Sequence, residues 1–478
     1  MSLRRPPPMT FAVVVGLCPL AASRTDLSLP DKKGSNVRVL QLGDLRLHLS
    51  RSQLNRLTEA SAFLWATGIE DTFITAPWPQ TGRILDEYEL TDHYQRCYED
   101  AALIKQLGVS AARYGIPWHR INPARGVWDW DWTDRALNRL LELQIDPIVD
   151  LVHYGLPAWI EGAYLNPAYP ELVASYAAQV AQRFKGRIRA YTPLNEPRVT
   201  AWYCGKLGWW PPNHRGWRGF VQVMVAICRG IVLTVEALES VDPDILPVHV
   251  DATDLYETSD TSLKIEADRR QEIVFLALDL ISGRIDETHP LRSWLLRQGA
   301  SNSDLDWFLA RKIDLPLIGI NLYPMFSRKI LSRSNNRLRI RMPYSDASII
   351  DSLADLYSRR YKTPIFISET ASVGSVKRRH AWLNDSVQAV KRVRERGTPM
   401  VGYTWWPLFA LVTWAYRQGT HPPEFYLKQM GLWDLNANLD RVETPLIEEF
   451  RGLVASGTQA VGELRLPANH EERMSHVS

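Results

Sequence analysis

From Ala60 onward one pattern repeats along the chain. A short apolar, β-prone run is followed by a stretch with helical spacing. The expected strands are 63–67, 110–118, 147–153, the run into Tyr191, 245–252, 317–323, 364–369 and 400–406. The expected helices include 94–107, 134–143, 170–184, 220–238, 349–361, 381–396 and 446–454. In 94–107, Cys97, Ala101, Ile104 and Leu107 share one face, as a 3.6-residue period requires. Eight near-continuous apolar strands separated by helices are buried on both faces, which is the requirement of a parallel sheet closed into a single α/β (β/α)8 TIM barrel. No GxGxxG follows a strand and no phosphate-loop pattern occurs, so a doubly wound nucleotide fold is disfavoured.

A barrel of this kind presents chemistry at the C-terminal tips of its strands. The run Ile188, Arg189, Ala190, Tyr191, Thr192, Pro193, Leu194 leads into Asn195 and Glu196, and Pro197 stops it because proline has no N–H for the ladder. A second run, Ile365, Phe366, Ile367, Ser368, ends in Glu369. Taken alone, either Glu is an ordinary solvated strand end. Two such tips, each offering one carboxyl group, match what a two-carboxylate hydrolase needs. Arg113, His153, Asn195 and Tyr323 fall at the same expected end. In that arrangement Glu196 is the proton donor, raised by burial and by a neighbouring carboxylate. Glu369 is the nucleophile, supported by Arg113 and the Tyr323 hydroxyl, and Asn195 suits a sugar 2-hydroxyl.

Composition narrows the alternatives. Of 478 residues 45% are hydrophobic and 23% charged, and the net charge of +3 comes with no basic run of nucleic-acid character. The 18 Trp residues serve a core first, and some suit stacking on sugar faces. Cys18, Cys97, Cys204 and Cys228 have no CxxC or metal-ligand spacing, so free buried thiols are expected. No HxH or HExxH occurs, so no metal or other cofactor is expected. Residues 1–56 read as a leader, 57–466 as the barrel and 467–478 as a polar tail. Within the leader, Arg4 and Arg5 precede a broken apolar run over 11–22, which leaves secretion through a weak signal open beside a favoured cytoplasmic location. No later stretch is expected to reach membrane-spanning length.

These motifs together resemble glycoside hydrolase family 1, the β-glucosidase-like enzymes, over roughly 63–454. The carrying segments are Ala112 through Ile121, Asp146 through Pro157 (DPIVDLVHYGLP), Pro193-Leu194-Asn195-Glu196-Pro197, Ile320-Asn321-Leu322-Tyr323, Ile367-Ser368-Glu369-Thr370 and Gly402 through Trp414. The resemblance implies a retaining glycosidase with Glu196 as acid/base and Glu369 as nucleophile. It implies support from Arg113, Tyr323 and Asn321, and sugar contacts from His153, Asn195, Trp406, Trp414 and the position of Thr413. A carbohydrate or glycoconjugate substrate follows.

The departures are specific. Gly68 stands where the family has Gln in its first-strand motif, here Gly68-Ile69-Glu70-Asp71. Thr413 stands where it has Glu after the eighth strand, Pro193 replaces a Thr, and Thr370-Ala371 follows Glu369 in place of Asn-Gly. Catalytic carboxylates kept without the usual grip on the far hydroxyls imply altered glycone specificity, with Asp71, Asp150 and Asp251 as candidate hydroxyl partners. A transglycosidase and a catalytically silent carbohydrate-binding relative are the competing readings.

Overall fold

The structure is a computed structural model that describes residues 49–335 and 337–465. Eight strands close a barrel: β1 Leu64–Ile69, β2 Ala111–Gly115, β3 Asp146–Asp150, β4 Ala190–Thr192, β5 Leu246–Ala252, β6 Leu317–Asn321, β7 Ile365–Thr370 and β8 Met400–Trp405. Each pairs in parallel with its chain neighbours, and β8 returns to β1 through Leu64 opposite Gly402 and Thr67 opposite Trp405. All eight expected strands are present. Several end sooner than expected because the chain turns at the rim. The second strand stops at Gly115, and Trp118–Ile121 is already helical.

Alternation along each strand divides the barrel into layers. Leu64 and Ala66 of β1, Ala111 of β2, Ile148 of β3, Ala190 of β4, Leu246, Val248 and Val250 of β5, Leu317 of β6 and Phe366 of β7 form one buried inner cluster. The opposite faces pack against the helices in a second, larger cluster. One residue pair further up, the same inward parity carries Gly68, Arg113, Asp150 and Ser368, so the apolar floor gives way to a polar layer toward the mouth.

Three features were not foreseen. Leu255–Thr258, Arg328–Ser334 and Arg337–Arg341 form a separate three-stranded arm, the first pair parallel and the second antiparallel. The helix Val376–Glu395 starts earlier than expected because the Ser375 side chain accepts from Arg378 N and caps it. The helix Gly216–Val241 is long and apolar enough to cross a membrane, correcting the expectation that no later stretch would be. Its apolar side chains, among them Phe220, Met224, Ile227 and Ile231, are buried in the outer cluster, as in a core helix. Cys97, Cys204 and Cys228 are free and buried, as expected. Cys18, the apolar run near the N-terminus and the polar tail lie outside the described residues.

The barrel also begins earlier than the expected boundary at residue 57. Leu49 and Leu57 belong to the inner cluster, and the short helix Leu54–Leu57 lies at the floor. Backbone N–H groups tie this segment to the foot of the barrel: Leu49 N donates to the Asp146 side-chain Oδ2 at 3.4 Å and Arg51 N to Asp244 O at 3.0 Å. Residues 49–56 therefore plug the barrel floor. Replacing Leu57 by Ala should destabilise the fold by about 2–5 kcal/mol, the range for a buried Leu that leaves a cavity. Urea unfolding of Leu57→Ala, with Leu54→Ala at a half-buried position as control, measures this, and equal small losses would remove Leu57 from the core.

Candidate active site

The polar layer at the mouth is organised by Arg113, which rises from β2 into the barrel and is fully buried. Its Nη1 lies 2.6 Å from Glu369 Oε1 and 2.7 Å from Glu70 Oε1. Its Nη2 lies 3.1 Å from Asp150 Oδ2 and donates to Asn195 Oδ1 at 3.0 Å. Burial alone disfavours charge on a guanidinium, but the Glu70, Glu369 and Asp150 carboxylates outweigh it and hold Arg113 above its ordinary value. One cation thus joins β2, β3, β7 and the loops after β1 and β4.

Glu369 stands near the end of β7, where the pairing with β6 shifts register between Ile367 and Glu369. Arg113 holds one carboxylate oxygen and the Tyr323 hydroxyl donates to the other at 2.7 Å. Glu196 has no such cation. It stands just past β4 with φ of 46°, in the left-handed region that a non-glycine residue seldom adopts. Its N–H donates to Val250 O at 3.1 Å, and Pro197 opens the helix Pro197–Ala201 directly behind it. Its carboxyl group accepts from Asn321 Nδ2 at 2.9 Å and from the Tyr154 hydroxyl. Burial first, and then the charge of Glu369, push Glu196 up to about 7, against the opposing effect of those two donors.

The remaining expected residues link these two centres. Asn195 Nδ2 donates to Tyr154 Oη at 3.1 Å and lies 3.3 Å from His153 Nε2. With His153 Nδ1 donating to Asp150 Oδ2 at 3.2 Å, its Nε2 is left to accept. Asn321, expected as a supporting residue, sits on Glu196 and accepts from Ser368 Oγ at 2.6 Å. Trp406 lies at the β8 tip with its ring 6.0 Å from that of Tyr323, and its Nε1 donates to Glu70 O. Trp414 packs edge-on against Tyr154, Tyr203 and Trp210 and donates to Thr72 Oγ1. Thr413 is placed by its N–H on Tyr426 O, and its side chain makes no hydrogen bond to the described residues.

Glu70 and Tyr154 were not singled out from the sequence, although each lay inside a quoted motif. Glu70 follows Gly68, and the structure shows why that glycine matters. A Cβ at position 68 would stand 2.2 Å from Glu70 Oε2 and 2.8 Å from Trp406 Cδ1. The Glu70 carboxyl group occupies the space a side chain at 68 would need. It is fully buried and neither oxygen takes a hydrogen bond, although one is in ion-pair contact with Arg113. Burial raises its affinity for a proton well above the ordinary range, and the charges of Glu369 and Asp150 add to this against Arg113.

Of the candidate hydroxyl partners, Asp150 is taken up by Arg113 and His153. Asp71 is raised to about 6 by burial against the pull of His153. Asp251 has the opposite parity from Val248 and Val250 of the inner cluster, so it does not belong to the inward-facing layer. A further acidic group, Glu272, Asp279 and His289, has ligand atoms close enough for an ion, but Arg360 already sits on both Glu272 and Asp279.

The family model described as glycosyl hydrolase family 1 matches residues 66–273. Beta-glucosidase 1 of Oryza sativa subsp. japonica is 33% identical over 140 residues, 28% of this chain and 27% of that protein. Beta-glucosidase A of Thermotoga maritima is 34% identical over 119 residues, 23% of this chain and 26% of its own. The chain spans less than half the length of the curated relatives it matches first. In structure, a family 1 β-glucosidase from Thermotoga maritima superposes with a TM-score of 0.70 at 20% identity, covering 83% of this chain and 98% of that one, a likeness of fold. The matched segment runs from β1 to the helix after β5 and contains Arg113, His153, Asn195 and Glu196, and over that segment the chain is similar to glycosyl hydrolase family 1.

Proposed function

We propose that this chain is a retaining glycosidase that cleaves β-O-glycosidic bonds by double displacement, with Glu196 as acid/base and Glu369 as nucleophile. The observation that carries the reading is the difference between the two carboxyl environments. Glu369 has a guanidinium on one oxygen and a phenol on the other, whereas Glu196 is buried without a cation and pushed up to about 7. A buried carboxyl group with raised proton affinity beside one held by a guanidinium and a phenol lets one site supply both an acid and a nucleophile.

The steps follow from the geometry. The Glu369 carboxylate attacks the anomeric carbon while Glu196 gives its proton to the departing glycosidic oxygen, and a glycosyl ester forms on Glu369. The ester carries no charge, so the repulsion that helped raise Glu196 is gone, while its Tyr154 and Asn321 donors remain. Both changes favour the carboxylate, which then takes a proton from water as that water opens the ester. Tyr154 is a positioning residue for the second half of this cycle.

The glycone is read differently from that of the β-glucosidases the chain resembles. Gly68 and Thr413 offer no long polar side chain, and Glu70 fills the volume beside Gly68. Sugar contact in this reading falls to His153, Asn195, Trp406 and Trp414, with a carbohydrate or glycoconjugate as substrate. A panel of aryl β-glycosides with the wild type and Glu369→Gln tests the assignment. At least about a thousandfold loss of kcat is expected when a nucleophile is removed. Equal nonzero rates would overturn the role of Glu369, and sugar binding by calorimetry without turnover of any glycoside would establish a silent binder. Product analysis with an added alcohol separates hydrolysis from transfer.

The pH profile tests Tyr154. Its hydroxyl stabilises the carboxylate form of Glu196, so Tyr154→Phe should let the carboxyl group keep its proton to higher pH. The alkaline limb of kcat/KM should move upward by roughly one unit, the equivalent of one hydrogen bond. An unmoved or lowered limb would refute the coupling.

A further inference from the structure

Residues 322–345 contain six basic residues and no acidic one, in a chain whose net charge is only +3. This segment leaves the rim after Tyr323, forms the arm strands Arg328–Ser334 and Arg337–Arg341, and returns before β7. Tyr344 at its end hydrogen-bonds Ser372 Oγ at 2.7 Å, just beyond the strand that carries Glu369. The arm therefore grows from the same rim as the candidate active site.

Its charges divide in two. Arg328, Lys329 and Arg333 are matched by Glu257, Asp254 and Asp260. Arg337, Arg339 and Arg341 make no ion pair with any described residue, and all lie on the fully exposed outer strand. Among the described residues that strand pairs only with Arg328–Ser334, which leaves its other edge open. Charge on an open edge is an ordinary guard against strand pairing, and the arginines by themselves would need no other explanation.

The apolar residues do need one. Twelve large apolar side chains stand exposed among the described residues. Five of them, Phe326, Leu338, Ile340, Met342 and Tyr344, belong to this segment, with exposures of 36–55%. A sixth, Ile265, is 83% exposed on the helix Lys264–Ile281, whose neighbours Leu263 and Ala267 pack against Leu331 of the arm. Half of the exposed apolar side chains are thus gathered on or beside one basic arm. Alternation puts Leu338 and Ile340 on the face of Leu331, and Arg337, Arg339 and Arg341 on the opposite face, so the open edge is bordered by an apolar row on one side and a cationic row on the other.

We propose that this arm docks the protein on an anionic lipid surface. The chemistry favours this occupant over a soluble polyanion. A polyanion would satisfy the guanidinium groups and leave the apolar row in water. A headgroup layer takes both, with arginines at the phosphates and Leu338, Ile340 and Met342 at the acyl boundary. Phe326 and Tyr344 suit the level between. The contact is peripheral, and a docked molecule turns the rim that carries the arm toward the headgroups.

The test uses the full chain and sedimentation with vesicles, and it does not depend on hydrolysis. Wild type should sediment with vesicles of phosphatidylcholine plus phosphatidylserine and stay in solution with phosphatidylcholine alone. The triple variant Arg337→Gln, Arg339→Gln, Arg341→Gln should bind the anionic vesicles roughly a hundredfold more weakly, since each cation contributes about fivefold. The double variant Leu338→Ser, Ile340→Ser should lose the binding that survives raised salt. Circular dichroism and melting temperatures of both variants should match wild type, because every altered side chain is exposed. Absence of binding, equal binding to both vesicle types, or an unaffected arginine variant would overturn the proposal. So would heparin binding without vesicle binding, or dimerisation abolished by the apolar variant, which would assign the arm to a polyanion or to a second copy.

Discussion

The site depends on one guanidinium surrounded by more negative charge than it can match. Arg113 has Glu369 and Glu70 on one nitrogen and Asp150 on the other, all of them buried. A buried charge is tolerable only when paired and hydrogen-bonded, and removing a partner leaves the other stranded. Glu70 has no hydrogen bond to either oxygen, and burial first, then the charges of Glu369 and Asp150, raise its proton affinity against Arg113. Arg113 is also mechanical: through Asn195 and Asp150 it fixes His153 and reaches Tyr154, so the supports of the two candidate carboxyl groups are parts of one network.

Two of the nine non-glycine residues with positive φ among the described residues lie where that network meets Glu196. Glu196 and Tyr154 both have positive φ, at 46° and 70°, and their side chains hydrogen-bond to each other. A non-glycine residue in that region costs on the order of 1–3 kcal/mol and persists only where the surroundings over-determine it. Here the surroundings are identifiable. Glu196 N–H is held by Val250 O, Pro197 starts a helix behind it, and the Tyr154 carbonyl accepts from Tyr164 Oη at 2.9 Å. A ring of Tyr203, Trp210 and Trp414 covers the Tyr154 side. The wide π-helical turn Trp202–Leu207 that presents Tyr203 has no simple signature in residue pattern.

The barrel was legible because its strands are buried on both faces. Such strands must be short apolar runs, and helices must separate them if they are parallel, so period and length sufficed even where ends were misplaced by a few residues. The arm was missed although Arg337–Arg341 alternates arginine with Leu338 and Ile340 at the period of a strand, because an exposed pair of strands outside the barrel interrupts the strand–helix repeat. The floor plug was missed for a different reason. Leu49 and Leu57 are ordinary leucines in a polar segment, and only the hollow at the foot of the barrel makes them core. In the site, Arg113, His153, Asn195, Glu196, Tyr323 and Glu369 could be named because each follows an apolar run at a tip. Asn321 was named as a support without a stated partner, and the structure sets it on Glu196, whereas Thr413 was named and only its backbone hydrogen-bonds to the described residues.

The amino-acid sequence by itself determined the barrel and the candidate pair of carboxyl groups, since both are written in local order: which residues alternate, and which polar residue comes after the last apolar one. It could not determine the electrostatics of that pair. Whether a carboxyl group holds a proton depends on what lies within a few ångströms in space, and Glu70, Tyr154 and Glu369 reach their partners from different strands. Gly68 shows the division most plainly. From sequence it is a missing side chain, whereas in the fold it is the space into which Glu70 folds.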